Sequence, residues 1–557
     1  MKAFGALVLF VLLAVAHTWP LARDPAANSR VDNGDYSLNV WAVDWVARTL
    51  PADPAHLFDG NIFHPHRLTL AYSEPLILQG VMAMPLVWLG LPPVLTFNLV
   101  LLAGFALSGW AFSVMVQRDT GSWPAGLVAG SAVAFSAHHL MRLPHIQALH
   151  LQLLPLVFVA LDRLLRTGAT RWAAALGAAV ALQATTSIYL LVFTAWAAGC
   201  AWLARMPEWR RRLPAAAAWI LVAVVACAAL LWPVIRPYAE LSRTLGLSRS
   251  LAETSACAAG WTDYLYTGSR LHFAWWSHRF SGSSDANFPG VAVTALALFG
   301  LAAGGLRDPR ARMWLAAGAG SVALSALPHV PGFAWLHAHV PALGAIRCYS
   351  RAGQMALVAV AVLAGYGTAA LLARAARRRD TPQPRLQPRA VAGAILLVAA
   401  VNLEAVRAPL WYRPFPGIPG IYTRLRDEPR AVVAEMPFYD RQGFFGNARY
   451  MIYATRHRHP LVNGYSGFAP PGFDRSAQLL RGFPGTAALD ELRRLGVTHV
   501  VVHPGPWTDR RRALIAAEPA LQIVAQQAGI ALYRLAAPGA AASGQAGVRT
   551  GIRTGSR

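Results

Sequence analysis

Long apolar runs recur along this 557-residue chain and constrain its fold more than any other feature. Most are close to the roughly 20 residues that an α-helix needs to cross the hydrocarbon core of a bilayer. Inside a bilayer every backbone polar group must be satisfied by the protein itself, which favours helices for runs of this kind. Charged residues make up only 14% of the chain, against about a quarter in a soluble protein. The sequence therefore predicts a polytopic α-helical membrane protein.

The pattern predicts about eleven membrane spans. They cover residues 3–21, 94–116, 124–138, 147–161, 172–188, 189–204, 214–233, 289–306, 312–327, 353–374 and 390–407. Residues 75–91 are also apolar, but Pro85 interrupts them, so a surface segment and a further span both stay open. Met1–Ala16 has features of a signal peptide, yet the apolar run continues through Leu21, which favours an uncleaved anchor.

The arginines determine the predicted orientation. They give the chain a net charge of +24, but they cluster in short loops between apolar runs, as expected for cytoplasmic loops rather than for nucleic-acid binding. The basic segments are Arg118, 163–171, 205–212, 307–312 and 374–389. The alternating, less basic loops are then outside, and two of them contain Cys257 and Cys348. A disulfide and two free thiols both fit these cysteines.

The character of the sequence changes after residue 408. Buried strands are predicted at 431–435, 497–502 and 531–535, with a weaker one at 459–465, and a helix at 489–495 ends at Gly496. The sequence thus predicts a membrane domain over 1–407, with a first outer loop at 22–92, and an extracytoplasmic α/β domain over 408–536. Residues 537–557 are predicted to be a disordered tail.

Val31–Leu50, VDNGDYSLNVWAVDWVARTL, is the first stretch with candidate chemistry. Its apolar spacing predicts a short helix lying flat in the membrane interface, with Trp41 and Trp45 at headgroup depth. Asp35 would then be at the membrane surface, where a carboxylate can accept a proton or hold a divalent cation. Asp44 lies on the same helix, and Asp32 lies nearby. A helix N-cap is the alternative role for Asp35 or Asp32.

A second polar stretch, NIFHPHRLTLAYSE, covers residues 61–74 and includes His64, His66, Tyr72 and Glu74. Glu74 precedes Pro75 and would either cap the helix that follows or act as a second catalytic carboxylate facing Asp35. In that second role it would orient the acceptor or complete a metal site. These residues are candidates for binding or orienting a substrate.

Two further outer loops carry positive or titratable side chains. His145 lies in HHLMRLPHIQALH, where an ordinary interfacial loop and a contact with phosphate are both open. Arg347 and Arg351 are four residues apart, so on a helix they could bind one phosphate, or else reach ordinary lipid headgroups.

These motifs together resemble the GT-C superfamily of integral-membrane glycosyltransferases, and in particular its poorly characterised bacterial members. The resemblance rests on NGDYSLNVWAVDW, NIFHPH, LTLAYSE, HIQALHLQLLPL and HPLVNGYSGFAPP. It implies a protein of the bacterial cytoplasmic membrane that transfers a sugar from a polyprenyl-phosphate-linked donor. The acceptor would be a glycan, lipid or protein on the outer face. It also implies that Asp35 is the base, and Gly-Asp-Tyr in place of paired acids favours a mechanism without metal.

Two hypotheses follow. In the first, the chain is a glycosyltransferase in which Asp35 deprotonates the acceptor while Arg347 and Arg351 neutralise the departing lipid phosphate. In the second, the chain is a non-catalytic carrier or assembly subunit for lipid-linked saccharides with the same fold.

Overall fold

The structure is a computed structural model that describes residues 1–29, 34–246, 249–344, 346–377, 388–505 and 507–537. The chain forms two compact units. The helical unit comprises Met1–Arg30 and Glu74–Pro414, and the sheet unit comprises Val31–Ser73 and Phe415–Arg557. The sequence predicts that the whole first outer loop belongs to the membrane domain, whereas residues 31–73 belong to the sheet unit together with the C-terminal part. Asp32 and residues 538–557 of the predicted tail lie outside the described residues.

Helices account for most of the described chain. Numbered in chain order, they are α1 (Lys2–His17), α2 (Asp35–Ala52), α3 (Ile77–Trp88), α4 (Pro93–Thr120), α5 (Trp123–Ala134), α6 (Ala137–Met141), α7 (Leu154–Thr167), α8 (Arg171–Ala184), α9 (Ile188–Ala204), α10 (Met206–Trp209), α11 (Leu213–Leu245), α12 (Leu251–Ala256), α13 (Arg270–Trp275), α14 (Val291–Ala302), α15 (Pro309–Ser325), α16 (Phe333–His339), α17 (Pro341–Gly344), α18 (Gly353–Arg377), α19 (Pro388–Ala405), α20 (Ile421–Arg426), α21 (Ala448–His457), α22 (Phe473–Leu480), α23 (Thr486–Arg494) and α24 (Asp509–Ala517). Helices α2 and α20–α24 belong to the sheet unit, and the others form the helical unit.

Three helices of the described chain are long and apolar enough to cross a membrane: Pro93–Thr120, Met206–Leu245 and Tyr349–Ala376. Shorter apolar helices cover Lys2–His17, Ile77–Trp88, Ile188–Ala204, Val291–Ala302 and Val391–Ala405. A helix overlaps every predicted span, and capping residues define several of the helix ends. Ser122, for example, caps α5 by accepting a hydrogen bond from the Ala125 N–H. The number of crossings stays a prediction.

Buried charges connect the helices that carry the basic loops. Arg205 is 1% exposed and donates to Asp162 at 2.9 Å and to Glu208. Arg310 lies 3.4 Å from the same Asp162 and 3.1 Å from Asp119. This network links the ends of α4, α7, α9 and α15. Removing one of its side chains would leave a buried charge without its counter-charge, which is destabilising.

The sheet unit is built on four strands, β3 (Val433–Met436), β4 (His499–Val502), β5 (Leu521–Gln527) and β6 (Ile530–Leu535), in the order β3-β4-β6-β5. β3 and β4 are parallel, and the other pairs are antiparallel. Strands form where the sequence predicts them at 431–435, 497–502 and 531–535. The exposed edge strand β5 is not predicted, because its polar residues mask the alternation. In the helical unit, β1 (Asn28–Ser29) pairs with β2 (Arg413–Pro414).

Cys257 and Cys348 form a disulfide across 91 residues of sequence, so the structure settles the pairing that the sequence leaves open. The bridge joins the long loop after α11 to the segment that leads into α18. Cys200 and Cys227 are free thiols on the apolar helices α9 and α11.

Candidate functional site

The candidate side chains divide between the two units. Asp35, Asp44, His64, His66 and Tyr72 belong to the sheet unit. The helical unit contains the remaining four: Glu74, His145, Arg347 and Arg351. Each unit therefore holds its own cluster.

Asp35 is the first residue of α2 and keeps a partly exposed side chain. Its carboxylate accepts a hydrogen bond from the hydroxyl of Tyr465 at 2.9 Å. The preceding Gly34 has φ +96°, and a Cβ there would lie 2.9 Å from the Cβ of Ala448, so this turn favours glycine. The turn starts α2 against α21 and fixes where the carboxylate emerges.

The rest of α2 is packed inside the sheet unit rather than lying at a membrane interface, which corrects the sequence interpretation. Trp41 is 1% exposed, and its indole N–H donates to the side chain of Asn61 at 2.9 Å. The indole of Trp45 donates to the Leu57 carbonyl at 2.8 Å. Because the indole N–H groups of both tryptophans are hydrogen-bonded within the unit, α2 is part of its core. The apolar pattern alone does not distinguish such a helix from one that lies at a membrane interface.

Asp44 lies on the buried side of α2 and is 4% exposed. Its carboxylate pairs with Arg48 one turn later, at 2.9 Å. Burial raises the pKa of Asp44, and the nearby charges of Arg48 and Arg458 oppose that rise. Packing and this ion pair account for Asp44, which leaves Asp35 as the more accessible carboxylate of the helix.

The two motifs NIFHPH and HPLVNGYSGFAPP are joined by backbone hydrogen bonds. The N–H groups of Phe63 and His64 donate to the carbonyls of Asn463 and Leu461, and the Leu461 N–H donates to the Asn61 carbonyl. Leu461 in turn forms a bridge with Val433 of β3. The first-loop segment therefore extends the edge of the sheet, although 400 residues of sequence separate the two motifs.

Asn463 and Gly464 position Tyr465 at this junction. The Asn463 amide accepts from the Glu435 N–H at 2.7 Å and donates to the Glu435 carbonyl at 3.0 Å. A Cβ on Gly464 would lie 2.7 Å from the ring of Phe63, so a larger residue would separate the two motifs. Tyr465 follows directly and reaches Asp35.

His64, His66 and Tyr72 surround the same segment. Burial lowers the pKa of His64 and of His66, and in His66 the neighbouring His64 adds to the effect. Both imidazoles are therefore mostly neutral at pH 7. Each can donate one hydrogen bond through one ring nitrogen and accept one through the other. Tyr72 is 2% exposed, and its ring packs 5.8 Å from that of Phe63.

In the helical unit, Glu74 caps a helix other than the one the sequence suggests. Its carboxylate accepts from the N–H of Ile188 at 2.7 Å and of Tyr189 at 3.5 Å, the first two residues of α9. Burial raises the pKa of Glu74, while these N–H groups, the Ser187 hydroxyl and the charge of Arg351 act in the opposite direction. Glu74 thus fixes the start of α9 and the backbone of Tyr189.

Tyr189 connects Glu74 to the predicted arginine pair. The guanidinium of Arg351 lies over the Tyr189 ring at 5.2 Å, and the Tyr189 hydroxyl accepts from the backbone N–H of Arg347 at 3.2 Å. Arg249 completes the group. Burial lowers the pKa of Arg249, and the like charge of Arg347 lowers it further, whereas Tyr189 raises it. Three arginines around one tyrosine form a concentration of positive charge suited to a phosphate.

A buried ion pair that sequence reasoning missed lies beside this group. Asp285 is fully buried, 3.0 Å from Nδ1 of His138 and 2.9 Å from Arg142. Burial alone would raise the pKa of Asp285, but the charges and hydrogen bonds of these two residues hold it well below its usual range. Arg351 is within electrostatic reach of Arg142, Asp285 and Glu74. His145 lies partly exposed at the end of the turn that Arg142 begins.

Three contributors to these clusters carry little signal in the sequence. Arg249 stands out only as an arginine on a loop predicted to be outside, and Asp285 lies in a serine-rich turn. Tyr189 is one aromatic within an apolar run. Among the described residues, no group of three or more His, Cys, Asp or Glu side chains could hold a metal ion.

Comparisons with known proteins bear on the fold. No protein-family model matches the chain, and no curated protein matches it. The solved structure of arabinofuranosyltransferase AftD from Mycobacteria aligns with a TM-score of 0.55 and 18% identity over 96% of this chain, and a variant of it aligns at 0.56. The chain spans about two fifths of the AftD length, 40% and 41% in the two structures. The oligosaccharyltransferase AglB from Archaeoglobus fulgidus matches at 0.47, with 13% identity over 90% of this chain and 69% of AglB. At 18% identity, the likeness to the AftD structures shows that the chain shares their fold over 96% of its length.

Proposed function

We propose that this chain, on its GT-C fold, transfers a sugar from a polyprenyl-phosphate-linked donor to an acceptor hydroxyl, with Asp35 as general base. One observation carries the proposal: a partly exposed carboxylate at a fixed helix start, held by the Tyr465 hydroxyl at 2.9 Å. A general base must be accessible to the proton that it removes, and its carboxylate must be held in a defined orientation. Asp35 is partly exposed, and its hydrogen bond with Tyr465 orients the carboxylate. The AftD structures are those of an arabinofuranosyltransferase and support glycosyl transfer as the reaction class.

The reaction balances in one displacement. Asp35 takes the proton of the acceptor hydroxyl as its oxygen attacks the anomeric carbon. The bond from that carbon to the phosphate oxygen breaks, and its electron pair leaves with the polyprenyl phosphate. Attack opposite the leaving group inverts the configuration at that carbon.

The arginines around Tyr189 would stabilise the leaving group. Negative charge grows on the phosphate as the bond breaks, and Arg249, Arg347 and Arg351 provide fixed positive charge. Glu74 would act as a positioning residue, because it anchors the backbone of Tyr189, whose ring lies beneath the Arg351 guanidinium. His64, His66, Tyr72 and His145 are candidates for contacts with the sugar or the phosphate. A divalent cation would serve only as an additional counter-charge to the phosphate.

The proposed setting is a bacterial cytoplasmic membrane crossed by about eleven helices, with the sheet unit outside. The basic loops support this orientation because, in the predicted topology, they alternate with the less basic loops that contain Cys257 and Cys348. The disulfide between those cysteines supports it as well, since disulfides persist in oxidising compartments and are rare in the cytosol.

The decisive experiment compares a deletion strain with strains that carry Asp35→Asn or the control Asp53→Asn. Asp53 follows the other end of α2, where it pairs with exposed His56. We expect Asp35→Asn to remove transfer, seen as accumulated lipid-linked donor in a glycan profile, at unchanged protein level in the membrane. Asp53→Asn should behave as wild type.

Full transfer by the Asp35→Asn strain would overturn the proposal. If that strain is active while loss of the sheet unit still abolishes glycan assembly, the non-catalytic carrier or assembly subunit is the better description.

A further inference from the structure

An exposed aromatic side chain borders the residue that precedes Asp35. Phe445 is 55% exposed, and among the described residues of the sheet unit it is the only aromatic residue with a mostly exposed side chain. A Cβ on Gly34 would lie 3.2 Å from both the Cβ and the carbonyl oxygen of Phe445. The turn that presents Asp35 therefore packs directly against Phe445, and the exposed ring and the proposed base are neighbours on the surface of this unit.

Neighbouring side chains hold Phe445 in place. The ring of Phe444 packs 5.2 Å from that of Tyr465, the residue that holds Asp35. Asn447 is fully buried, and its amide accepts from the Tyr439 N–H at 3.3 Å and donates to the Tyr439 carbonyl at 2.8 Å. The backbone on both sides of Phe445 is thus fixed, so a ligand that stacks on this ring meets a preformed surface. Such a surface reduces the ordering cost of binding.

The exposed residues on either side of Phe445 in the sequence are polar. They are Arg441 and Gln442 before it and Arg449 after it. The segment therefore presents one apolar ring among polar groups, whereas a lipid chain needs a continuous apolar path. A sugar has the matching character, because its C–H groups lie on the faces of its ring and its hydroxyls lie around the edge.

Arg449 supplies hydrogen-bond donors in the helical turn that follows Phe445. Its guanidinium donates to the hydroxyl of Tyr439 at 3.4 Å and to that of Tyr450 at 3.3 Å. These bonds hold an exposed cationic side chain in one orientation. A guanidinium has five N–H donors in a fixed arrangement, which suits the recognition of neighbouring hydroxyls.

We propose that Phe445 is the stacking surface for the acceptor, and that the acceptor is a saccharide with one hydroxyl directed at Asp35. The C–H groups on one face of the sugar contact the electron-rich face of the phenyl ring. Arg449 donates to hydroxyls at the edge of the sugar. This inference rests on the proposed function and selects a glycan from the glycan, lipid and protein acceptors that the proposal leaves open.

The test measures binding of defined probes to the full-length wild-type protein in nanodiscs without a lipid-linked donor, so that no transfer occurs. The probes are methyl glycosides of glucose, galactose, mannose and arabinose, with N-acetylserine methylamide as a peptide hydroxyl. Saturation-transfer difference NMR identifies the probe protons that contact the protein, and titration gives the Kd. We expect at least one glycoside to bind through the C–H protons of one ring face and the peptide probe not to bind.

Phe445→Ala should weaken glycoside binding about tenfold, as for the loss of one aromatic contact, and Phe445→Trp should preserve it. The matched control is Leu514→Ala, because Leu514 on α24 is 54% exposed and apolar in the same unit. It should bind the glycoside as the wild type does. Both alanine variants are expected to fold normally, since each removes an exposed side chain.

Glycoside binding that Phe445→Ala leaves unchanged would overturn the inference. So would binding of the peptide probe alone, or no binding by any glycoside. These results are separate from a failure of the proposed function, because the assay involves no transfer. Full transfer by the Asp35→Asn strain, together with glycoside binding that depends on Phe445, would refute Asp35 as the base and still support the saccharide surface.

Discussion

At the scale of single residues, the two acids Asp35 and Asp285 have opposite surroundings. Asp285 is fully buried and held by two basic partners, so its charge is committed to the structure. Asp35 is partly exposed and accepts a hydrogen bond from the Tyr465 hydroxyl. A base must be accessible to the proton that it removes, and this difference in exposure is why Asp35 is the proposed base.

Tyr465→Phe tests the hydroxyl that holds Asp35. The hydrogen bond favours the charged carboxylate, so its loss should move the acid limb of the pH–rate profile to higher pH by about one unit and reduce kcat about tenfold. Tyr450→Phe is the control, because its hydroxyl donates to the Pro437 carbonyl at 3.0 Å in the same unit. An unchanged pH profile in Tyr465→Phe, measured in membranes with a lipid-linked donor, would contradict a positioning role for Tyr465.

Asp285→Asn tests the buried ion pair. Its partners hold the pKa of Asp285 well below the ordinary value, so the stabilisation is present at neutral pH and is lost as the pH falls below about 4, where the unfolded carboxylate takes up a proton. The free energy of unfolding then decreases by at most about 1.4 kcal/mol per pH unit. Thermal unfolding in detergent should show the wild type weakening between about pH 5 and pH 3 more than Asp285→Asn does.

At pH 7, Asp285→Asn should be destabilised by about 3 kcal/mol, because Arg142 loses its buried counter-charge. The exposed Asp24→Asn serves as the control and should unfold as the wild type does. Equal acid sensitivity of wild type and Asp285→Asn would show that another group carries the effect.

At the scale of elements, α2 shows how one pattern fits two environments. An apolar stripe with two tryptophans predicts an interfacial helix, yet the stripe packs inside the sheet unit. The deciding contacts come from Asn61 and Leu57, whose position near the indoles depends on how the following loop folds. Periodicity reports which face is apolar and does not report what covers it.

The disulfide makes a testable contribution to the elements that it joins. It closes a loop of 91 residues, for which the chain-entropy model gives about 4.6 kcal/mol of stabilisation. We expect Cys257→Ser or a reducing agent to lower the Tm in detergent, while Cys200→Ser, which removes a free thiol, leaves it unchanged. A Tm insensitive to reduction would mean that the two loops are held together by packing alone.

At the scale of the whole molecule, the topology predicts different access to the two sides. Position 281 is in the predicted outer loop that contains Cys257, and position 211 is in a run of three arginines; both are exposed. In intact cells, a membrane-impermeant thiol reagent should label the thiol introduced by Ser281→Cys. The thiol from Arg211→Cys should react only after lysis. The reverse pattern would invert the proposed orientation.

The sequence alone determined the membrane class, the helix at each predicted span, most of the sheet and the GT-C resemblance. These follow from local properties: run length, hydrophobicity and turn residues act over a few neighbours, and they fix an element before its packing is known.

Only the tertiary structure decided which distant residues meet. It placed Tyr465 on Asp35, Tyr189 between Glu74 and the arginines, His138 and Arg142 on Asp285, and Cys257 on Cys348. Such contacts depend on the path of every intervening segment, and a hydrogen bond or an ion pair leaves no periodic trace in the chain. For that reason Asp35 could be selected from its motif, whereas the group that holds it could not.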